Sequence, residues 1–459
     1  MKRLSVKTSG RRLLSLTVVI MLLGALLTGC TGKGNAQGDS HTTEGSEEKT
    51  QGDSVNAETK RGEDMEMHPK EHSTIQAKRL EVNTRLMIDY SIYSYAPVQN
   101  FSYNLLSQNL DKLNPVLSPV SAYLAISMAG CGAEGETLEE FRTVLGSDMA
   151  CLQDDLMNRL PQDEEELQVL LANSAWLDDD LTVLEHWLSE VYSFYDADVY
   201  QAELTAEETR EDINLWVKQN TEGMIQEFLS EQLNEDVALV LFDTVYFQGK
   251  WEKPFAAANT REREFTLDSG EVIMAETMSM PSAKIQYFQS DLAEGVVLPY
   301  VGDAYSFVAV KPTGKLTVRE LYDRLTLQEL MELIGTNTST VMDLNLPKFE
   351  ITFDQVLNES LQNMGLQRAF DMLQADFTGI SNDPRSPLYI GLVRQKAVFR
   401  LDEEGTEASV ATEVELLTRG MSSSILSFDR PFLYMIIENE SQVPLFMGIM
   451  DNPAEVQEK

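Results

Sequence analysis

Residues 402–419 read Asp402-Glu403-Glu404-Gly405-Thr406-Glu407-Ala408-Ser409-Val410-Ala411-Thr412-Glu413-Val414-Glu415-Leu416-Leu417-Thr418-Arg419. From Thr406 onward the even positions, Thr406, Ala408, Val410, Thr412, Val414 and Leu416, suit a core, whereas Glu407, Ser409, Glu413 and Glu415 fall on odd ones. Alternation with period two is a strand signature, because successive side chains leave opposite faces of the pleat. Gly405 at its head is free to take backbone angles denied to other residues, as a hinge requires. Arg419 is followed by Gly420-Met421-Ser422-Ser423-Ser424, a small, flexible run of the kind proteases reach. The stretch reads as a strand hung on glycine and ended by a cationic bait. Taken alone, it equally fits an ordinary edge strand with its loop.

Residues 1–29 hold five basic and no acidic side chains, with an apolar run from Leu13 to Leu27. A short apolar core behind a positive flank marks a secretory signal, and the run is short of the ~20 residues that span a membrane. Leu27-Thr28-Gly29-Cys30 resembles the lipobox of bacterial lipoproteins, in which the cysteine is diacylated and becomes the N-terminus. Two acyl chains anchor stably, so the resemblance implies an extracytoplasmic protein held on a bacterial membrane or envelope by lipid on Cys30. Plain cleavage and secretion is the alternative.

Residues 31–70 carry nine acidic and five basic side chains, much Gly, Ser and Thr, and a single aliphatic β-former, Val55. That composition buries too little apolar surface to offset its ordering entropy, so a disordered tether is expected over 30–85. His41, His68 and His72 are irregularly spaced and read as solvated, so no metal is expected there.

From residue 86 to about 455 the hydrophobic content is regular, with no Pro/Gly-rich linker; this is one large domain or two. With 74 acidic against 36 basic residues the formal net charge is −38. Such a body repels nucleic acid and anionic membrane surfaces and favours basic protein partners, besides keeping the chain soluble. A monomer is expected. Cys131 and Cys151 match no metal motif and read as buried thiols.

The chemistry of an enzyme is missing. The body's one histidine, His186 in Leu184-Glu185-His186-Trp187-Leu188, has the helical neighbours of a surface or boundary residue, and no Gly-x-Ser-x-Gly elbow accompanies it. Gly130-Cys131-Gly132-Ala133-Glu134-Gly135 has dinucleotide-type spacing but follows a helical segment rather than a strand, so it reads as a helix end and loop. No phosphate-cradling Gly-x-x-x-x-Gly-Lys loop is present, and neither cofactor nor metal is expected.

Ser118-Pro119 opens a helix that runs to Gly130, and residues 206–231 are amphipathic and helical, with Ile213, Trp216, Val217 and Ile225 on one face. Residues 237–247 form a long apolar strand buried on both faces. Beyond Trp251 the chain is β-rich, with strands expected at 388–392, 397–401, 432–437 and 443–450 and helices at 317–334 and 354–364. Runs of helices followed by runs of strands indicate an α+β fold.

The chain from residue 86 to Pro453 resembles the serpins, the serine protease inhibitor family. The resemblance rests on motifs in family order: Asn114-Pro115-Val116-Leu117-Ser118-Pro119-Val120-Ser121, Gly132-Ala133-Glu134-Gly135-Glu136-Thr137, Leu241 through Gly249-Lys250-Trp251 to Pro254-Phe255, and Leu346-Pro347-Lys348-Phe349. It continues with Gly365-Leu366, Ala369-Phe370, Glu404-Gly405-Thr406-Glu407-Ala408, Phe428-Asp429-Arg430-Pro431-Phe432 and Pro444-Leu445-Phe446-Met447-Gly448.

The resemblance implies a large central sheet A, two smaller sheets, about nine helices and an exposed reactive loop. It implies inhibition by a suicide-substrate route, in which a target serine protease cleaves the loop and is held as a covalent acyl complex while the loop inserts into sheet A. The implied hinge is Glu404, Gly405, Thr406, Glu407, Ala408, Ser409, Val410, Ala411 and Thr412. Counting fourteen residues from the hinge glycine places the reactive bond at Arg419-Gly420 and the target among trypsin-like proteases. Met421-Ser422 is the reserve bond, for an elastase-like target. Ser118 and Ser121 fall on the family's shutter, where its usual buried asparagine and histidine align with Asp243 and Gln395; Val410 is larger than the family's common alanine or glycine. A non-inhibitory serpin acting as a surface binding or adhesion lipoprotein is the alternative.

Overall fold

The structure is a computed structural model and describes residues 74–82, 94–147, 149–234, 237–383, 388–406 and 424–455. Within them the side chains of Ala150, Asp243, Phe353 and Ala397 are not described. The signal, Cys30, the tether up to residue 73, hinge residues Glu407 to Thr412 and the reactive-bond residues Arg419, Gly420, Met421 and Ser422 lie outside the described residues. All described residues belong to one compact unit, Lys70–Lys459, so the body is one domain rather than two.

The strands in chain order are β1 (Lys78–Arg79), β2 (Val116–Leu117), β3 (Gln162–Glu164), β4 (Leu167–Asp178), β5 (Asp198–Ala202) and β6 (Leu239–Lys250). There follow β7 (Arg261–Thr266), β8 (Val272–Gln289), β9 (Ala293–Pro299), β10 (Tyr305–Pro312), β11 (Thr338–Pro347) and β12 (Phe349–Val356). The last are β13 (Leu392–Leu401), β14 (Gly405–Thr406), β15 (Ile425–Ser427), β16 (Phe432–Glu438) and β17 (Pro444–Met450). The helices are α1 (Ala96–Ser107), α2 (Pro119–Gly130), α3 (Gly135–Leu145), α4 (Met149–Arg159), α5 (Glu185–Tyr195), α6 (Glu207–Asn220), α7 (Val318–Arg324), α8 (Leu327–Gly335) and α9 (Asn358–Met364).

Sheet A has eight strands in the order β1-β5-β4-β6-β14-β13-β12, with β3 beside β4. The expected two smaller sheets run into one nine-stranded array, β15-β11-β8-β9-β10-β16-β17-β2 with β7 beside β8. The junction is the 18-residue β8, which pairs with β7 over its first part and with β9 over its last. This is the α+β architecture expected.

Alternation along β6 divides the interior. Leu239, Leu241 and Phe247 enter the large core between sheet A, α2 and the second sheet, whereas Val240 and Phe242 enter a smaller cluster with Trp176, Trp216 and Phe228 beneath α6. Facing apolar layers on both sides is why this strand is a near-continuous hydrophobic run. Helix α2 is buried at every position, with Ser118 at its N-cap and Pro119 at N1, as the Ser-Pro signal predicts.

Four element boundaries differ from the sequence reading. Helix α6 ends at Asn220, because Glu222 and Gly223 take left-handed φ of 48° and 76°, and Asn214 Oδ1 then accepts from the N–H groups of Phe228 and Leu229. The helix expected over 317–334 is two, since Thr326 and Glu329 form a second capping box that restarts it. The helix expected over 354–364 begins at Asn358, residues 354–356 belonging to β12. The strand expected at 397–401 begins earlier, as β13 from Leu392, whereas residues 388–391 are not a strand, Ile390 being held by its N–H on Ala369 O at 2.8 Å. Sheet A also begins ahead of residue 86: β1 pairs with β5, and Asp212 in α6 accepts from the N–H groups of Gln76 and Ala77.

Candidate functional site

Strands β6 and β13 run parallel but, among the described residues, pair directly at only two positions, Val240 with Leu392 and Leu241 with Val393. At the other end β14 sits between them, antiparallel to both: Gly405 opposes Lys250, and Thr406 opposes Gly249 on one side and Leu401 on the other. A two-residue wedge thus occupies the head of a seam that is closed at its foot. By contrast β4 and β6 are paired continuously from Leu167 to Leu177. Separating β6 from β13 therefore breaks far fewer ladder bonds than separating β4 from β6.

The wedge is seated by chemistry that the local sequence dictates. Asp402 Oδ1 accepts from the N–H groups of Glu404 (3.0 Å) and Gly405 (3.3 Å), and Asp402 N donates to Gly405 O (2.9 Å), closing the kind of tight turn that aspartate favours. Trp251 N donates to Glu404 O at 2.8 Å, its indole Nε1 donates to Asp402 O at 3.0 Å, and Phe255 N donates to Glu403 O at 2.7 Å. The Glu403 carboxylate accepts from Lys348 Nζ at 2.9 Å and Thr260 Oγ1 at 2.6 Å. Burial alone pushes the Glu403 carboxyl up, but those two hydrogen bonds and the ammonium charge outweigh it and hold it below the usual carboxylate range.

Gly405 is required here for a reason other than the backbone freedom expected of it. Its φ is not left-handed; a Cβ built on it lies 1.9 Å from Gly249 O, so a side chain has no room between the strands. Thr406 is buried with its Oγ1 2.7 Å from Tyr300 Oη, placing the even-numbered face of the 406–416 pattern inward at its first residue. Tyr300 is fully buried, stacks on Trp251 at 4.7 Å and meets Phe247 edge-on. Burial drives its phenol far above its usual pKa, so it stays a protonated partner for Thr406.

At the foot of the seam Gln395, buried in β13, bridges to the start of α2. Its Oε1 accepts from Ser118 N at 3.0 Å and its Nε2 donates to Ser118 O at 2.7 Å, while Ser118 Oγ is buried with no partner among the described residues. Ser121 is buried one turn on. Ser118 and Gln395 therefore meet, through the serine backbone rather than its hydroxyl. Asp243 stands opposite Asn173 in the β4–β6 ladder.

The remaining residues singled out by sequence take structural places. His186 is exposed on α5 with Nε2 3.2 Å from Glu190. Gly132 packs against Ile380, which leaves no space for a Cβ. Cys131 and Cys151 are half-buried rather than buried and form no disulfide among the described residues; the Cys131 thiol meets Tyr195 Oη at 3.1 Å, and desolvation of the sulfur pushes it up to about 12. Sequence reasoning missed Tyr300, Lys348 and Thr260. Only Lys348, inside the Leu346-Pro347-Lys348-Phe349 motif, carried any signal.

Residues 97–453 match the model of the serpin (serine protease inhibitor) family. The chain belongs to the serpin family. An alpha-1-antitrypsin-like protein of Ictidomys tridecemlineatus is 30% identical over 76% of this serpin and 86% of its own length. An alpha-1-antiproteinase of Equus caballus is 28% identical, over 77% and 85%. These relatives are named for inhibition of proteinases rather than for an enzymatic activity of their own. Among solved structures, the thermophilic serpin tengpin in its native state is similar with a TM-score of 0.77 at 30% identity, covering 82% of this chain and all of its own. In its latent state the TM-score is 0.68 at 31% identity, with 79% and 99% covered.

Proposed function

We propose that this serpin inhibits a trypsin-like serine protease as a suicide substrate cleaved after Arg419. The observation that carries the reading is the two-residue wedge at the head of the β6–β13 seam. Extending its register sets Thr412 between Asp243 of β6 and Gln395 of β13. The same register turns Ala408, Val410, Thr412 and Val414 toward the large core that Thr406 already enters. Small and β-branched side chains enter such a slot without burying a charge. The fifteen residues from Gly405 to Arg419 extend to roughly 50 Å, enough to cross a sheet of this size. The greater likeness to native than to latent tengpin supports a starting state with the slot unfilled.

Chemically, the protease serine oxygen attacks the Arg419 carbonyl carbon, the Arg419-Gly420 bond breaks, and the Gly420 amine leaves with a proton. The resulting ester is trapped if insertion outruns attack by water. An arginine at that position needs a pocket with a carboxylate at its base, because desolvating guanidinium without a partner is costly. The Cys30 lipobox supports a lipid-anchored bacterial envelope protein, and mass spectrometry of the mature N-terminus tests it.

Incubation with trypsin tests the main reading. An SDS-stable adduct accompanied by release of the C-terminal fragment beginning at Gly420 is expected. Complete cleavage without adduct makes the chain a substrate, and absence of cleavage favours a binding lipoprotein.

A further inference from the structure

A cavity of about 440 Å³ opens beside the edge of β4 that faces away from β6. Its walls come from α4, the end of α5, the end of α6 and Leu170, Leu171 and Ala172 of β4. Met157, Phe194, Leu170 and Leu171 make its apolar surface, and Asp154, Asp196 and Glu222 supply carboxylates, with no lysine or arginine among the lining residues. The volume lies at the small end of ligand sites, which run from about 300 to 1,000 Å³.

The strand edge inside the cavity is incomplete. On this side β3 covers β4 only as far as Val169, and β5 begins only at Ser174. Glu166 O accepts from Lys250 N and Asp178 N donates to Ala238 O, so even residues of β4 bond β6 and the odd residue Leu171 turns its N–H and C=O outward. Next to the wall, Asn173 Nδ2 donates to Tyr195 O at 2.9 Å and meets Met157 Sδ at 3.4 Å. Its Oδ1, on a residue 1% exposed, has no partner among the described residues. Asp196 and Glu222 both hold left-handed φ of 48°, an uncommon conformation for such residues and one that stores strain at the rim.

We infer that this cavity binds an extended peptide segment of a partner protein, one that carries a basic side chain and adds as a short strand to the open edge of β4. Backbone groups facing outward at two-residue spacing are matched by another strand, which supplies affinity, while a pocket for an alternate side chain supplies choice. The acidic rim selects lysine or arginine for that side chain, and the chain's net charge of −38 steers a basic partner toward it. The site is separate from the β6–β13 seam and does not depend on the inhibitory reading.

The probe is the peptide acetyl-Val-Arg-Val-Leu-amide, titrated calorimetrically into the full chain beside its glutamate counterpart and a backbone N-methylated analogue. Saturable binding of the arginine peptide is expected, weakened in about 0.5 M salt and lost with N-methylation. The pair Asp196→Asn and Glu222→Gln should weaken it about fivefold without lowering the melting temperature, since asparagine keeps the left-handed backbone. No binding at about 1 mM, equal binding of the glutamate peptide, or undiminished binding of the N-methylated analogue overturns the proposal. The readout is direct binding, so it stands whether or not trypsin is trapped.

Discussion

Thr406 Oγ1 and Tyr300 Oη lie 2.7 Å apart in the interior, joining the second residue of the wedge to the ring that floors the seam. Replacing Thr406 by valine keeps the shape and removes the bond, leaving a buried phenol without its partner. Such orphaning costs about 1–3 kcal/mol. The expected outcome is a lower urea midpoint with unchanged m, while the trypsin adduct still forms. Thr406→Arg, which forces a charge into the same place, should abolish the adduct while leaving cleavage intact, read on an SDS gel.

Glu403 makes the head of the seam acid-sensitive. Its folded pKa lies below the unfolded one, near 4.3 for glutamate, so its contribution is complete above that value and drains as pH falls through the folded value. As pH falls through that lowered value the carboxylate takes up a proton, the ion pair with Lys348 is lost, and Asp402–Gly405 loosens from Phe255 and Trp251. Melting temperature against pH checks this. Glu403→Gln should flatten the acid limb of the curve, and an acid limb identical to the parent's would remove Glu403 from the account.

How much was legible in the sequence follows from where each signal was stored. The Ser118-Pro119 helix start and the apolar β6 are local signals, and each lies in the structure where its pattern places it; of the period-two pattern only its first residue, Thr406, is among the described residues. The two faces of β6 needed α6 and the second sheet to explain them, but its doubly buried character was already in the run of apolar residues. At Gly405 the sequence suggests only backbone freedom, whereas the collision of a Cβ with Gly249 O comes from a residue far away in the chain and is not legible locally. The same holds for Tyr300 and Thr260, whose roles depend on what packs beside them. The end of α6 was misread because the Glu222-Gly223 turn competes with an amphipathic pattern that continues through Ile225.

Gln395 gives the foot of the seam a measurable share of stability. It bonds both backbone groups of Ser118, whose Oγ already lacks a partner among the described residues. Gln395→Leu fills similar volume but leaves the Ser118 amide buried without an acceptor, at a cost of about 1–3 kcal/mol. The urea midpoint should fall accordingly, and hydrogen exchange should quicken at Leu392 and Val393, the only two residues of β13 paired to β6 among those described. Gln395→His, offering one donor and one acceptor in a shorter ring, should recover part of the loss.

Under the proposed cut after Arg419, substitution of that residue separates recognition from machinery. In Arg419→Ala the hinge, the wedge contacts at Trp251 and Phe255 and the Gln395 bridge are untouched, so thermal and urea stability should match the parent within error. The rate of adduct formation with trypsin should fall by at least about a hundredfold, because a buried carboxylate in the protease pocket is left without its cation, worth roughly 3 kcal/mol. Adduct formation with an elastase-like protease should persist if that enzyme cuts at Met421-Ser422, with the released fragment beginning at Ser422. If instead the variant traps trypsin as fast as the parent, the cut lies elsewhere, and fragment masses would assign the register anew.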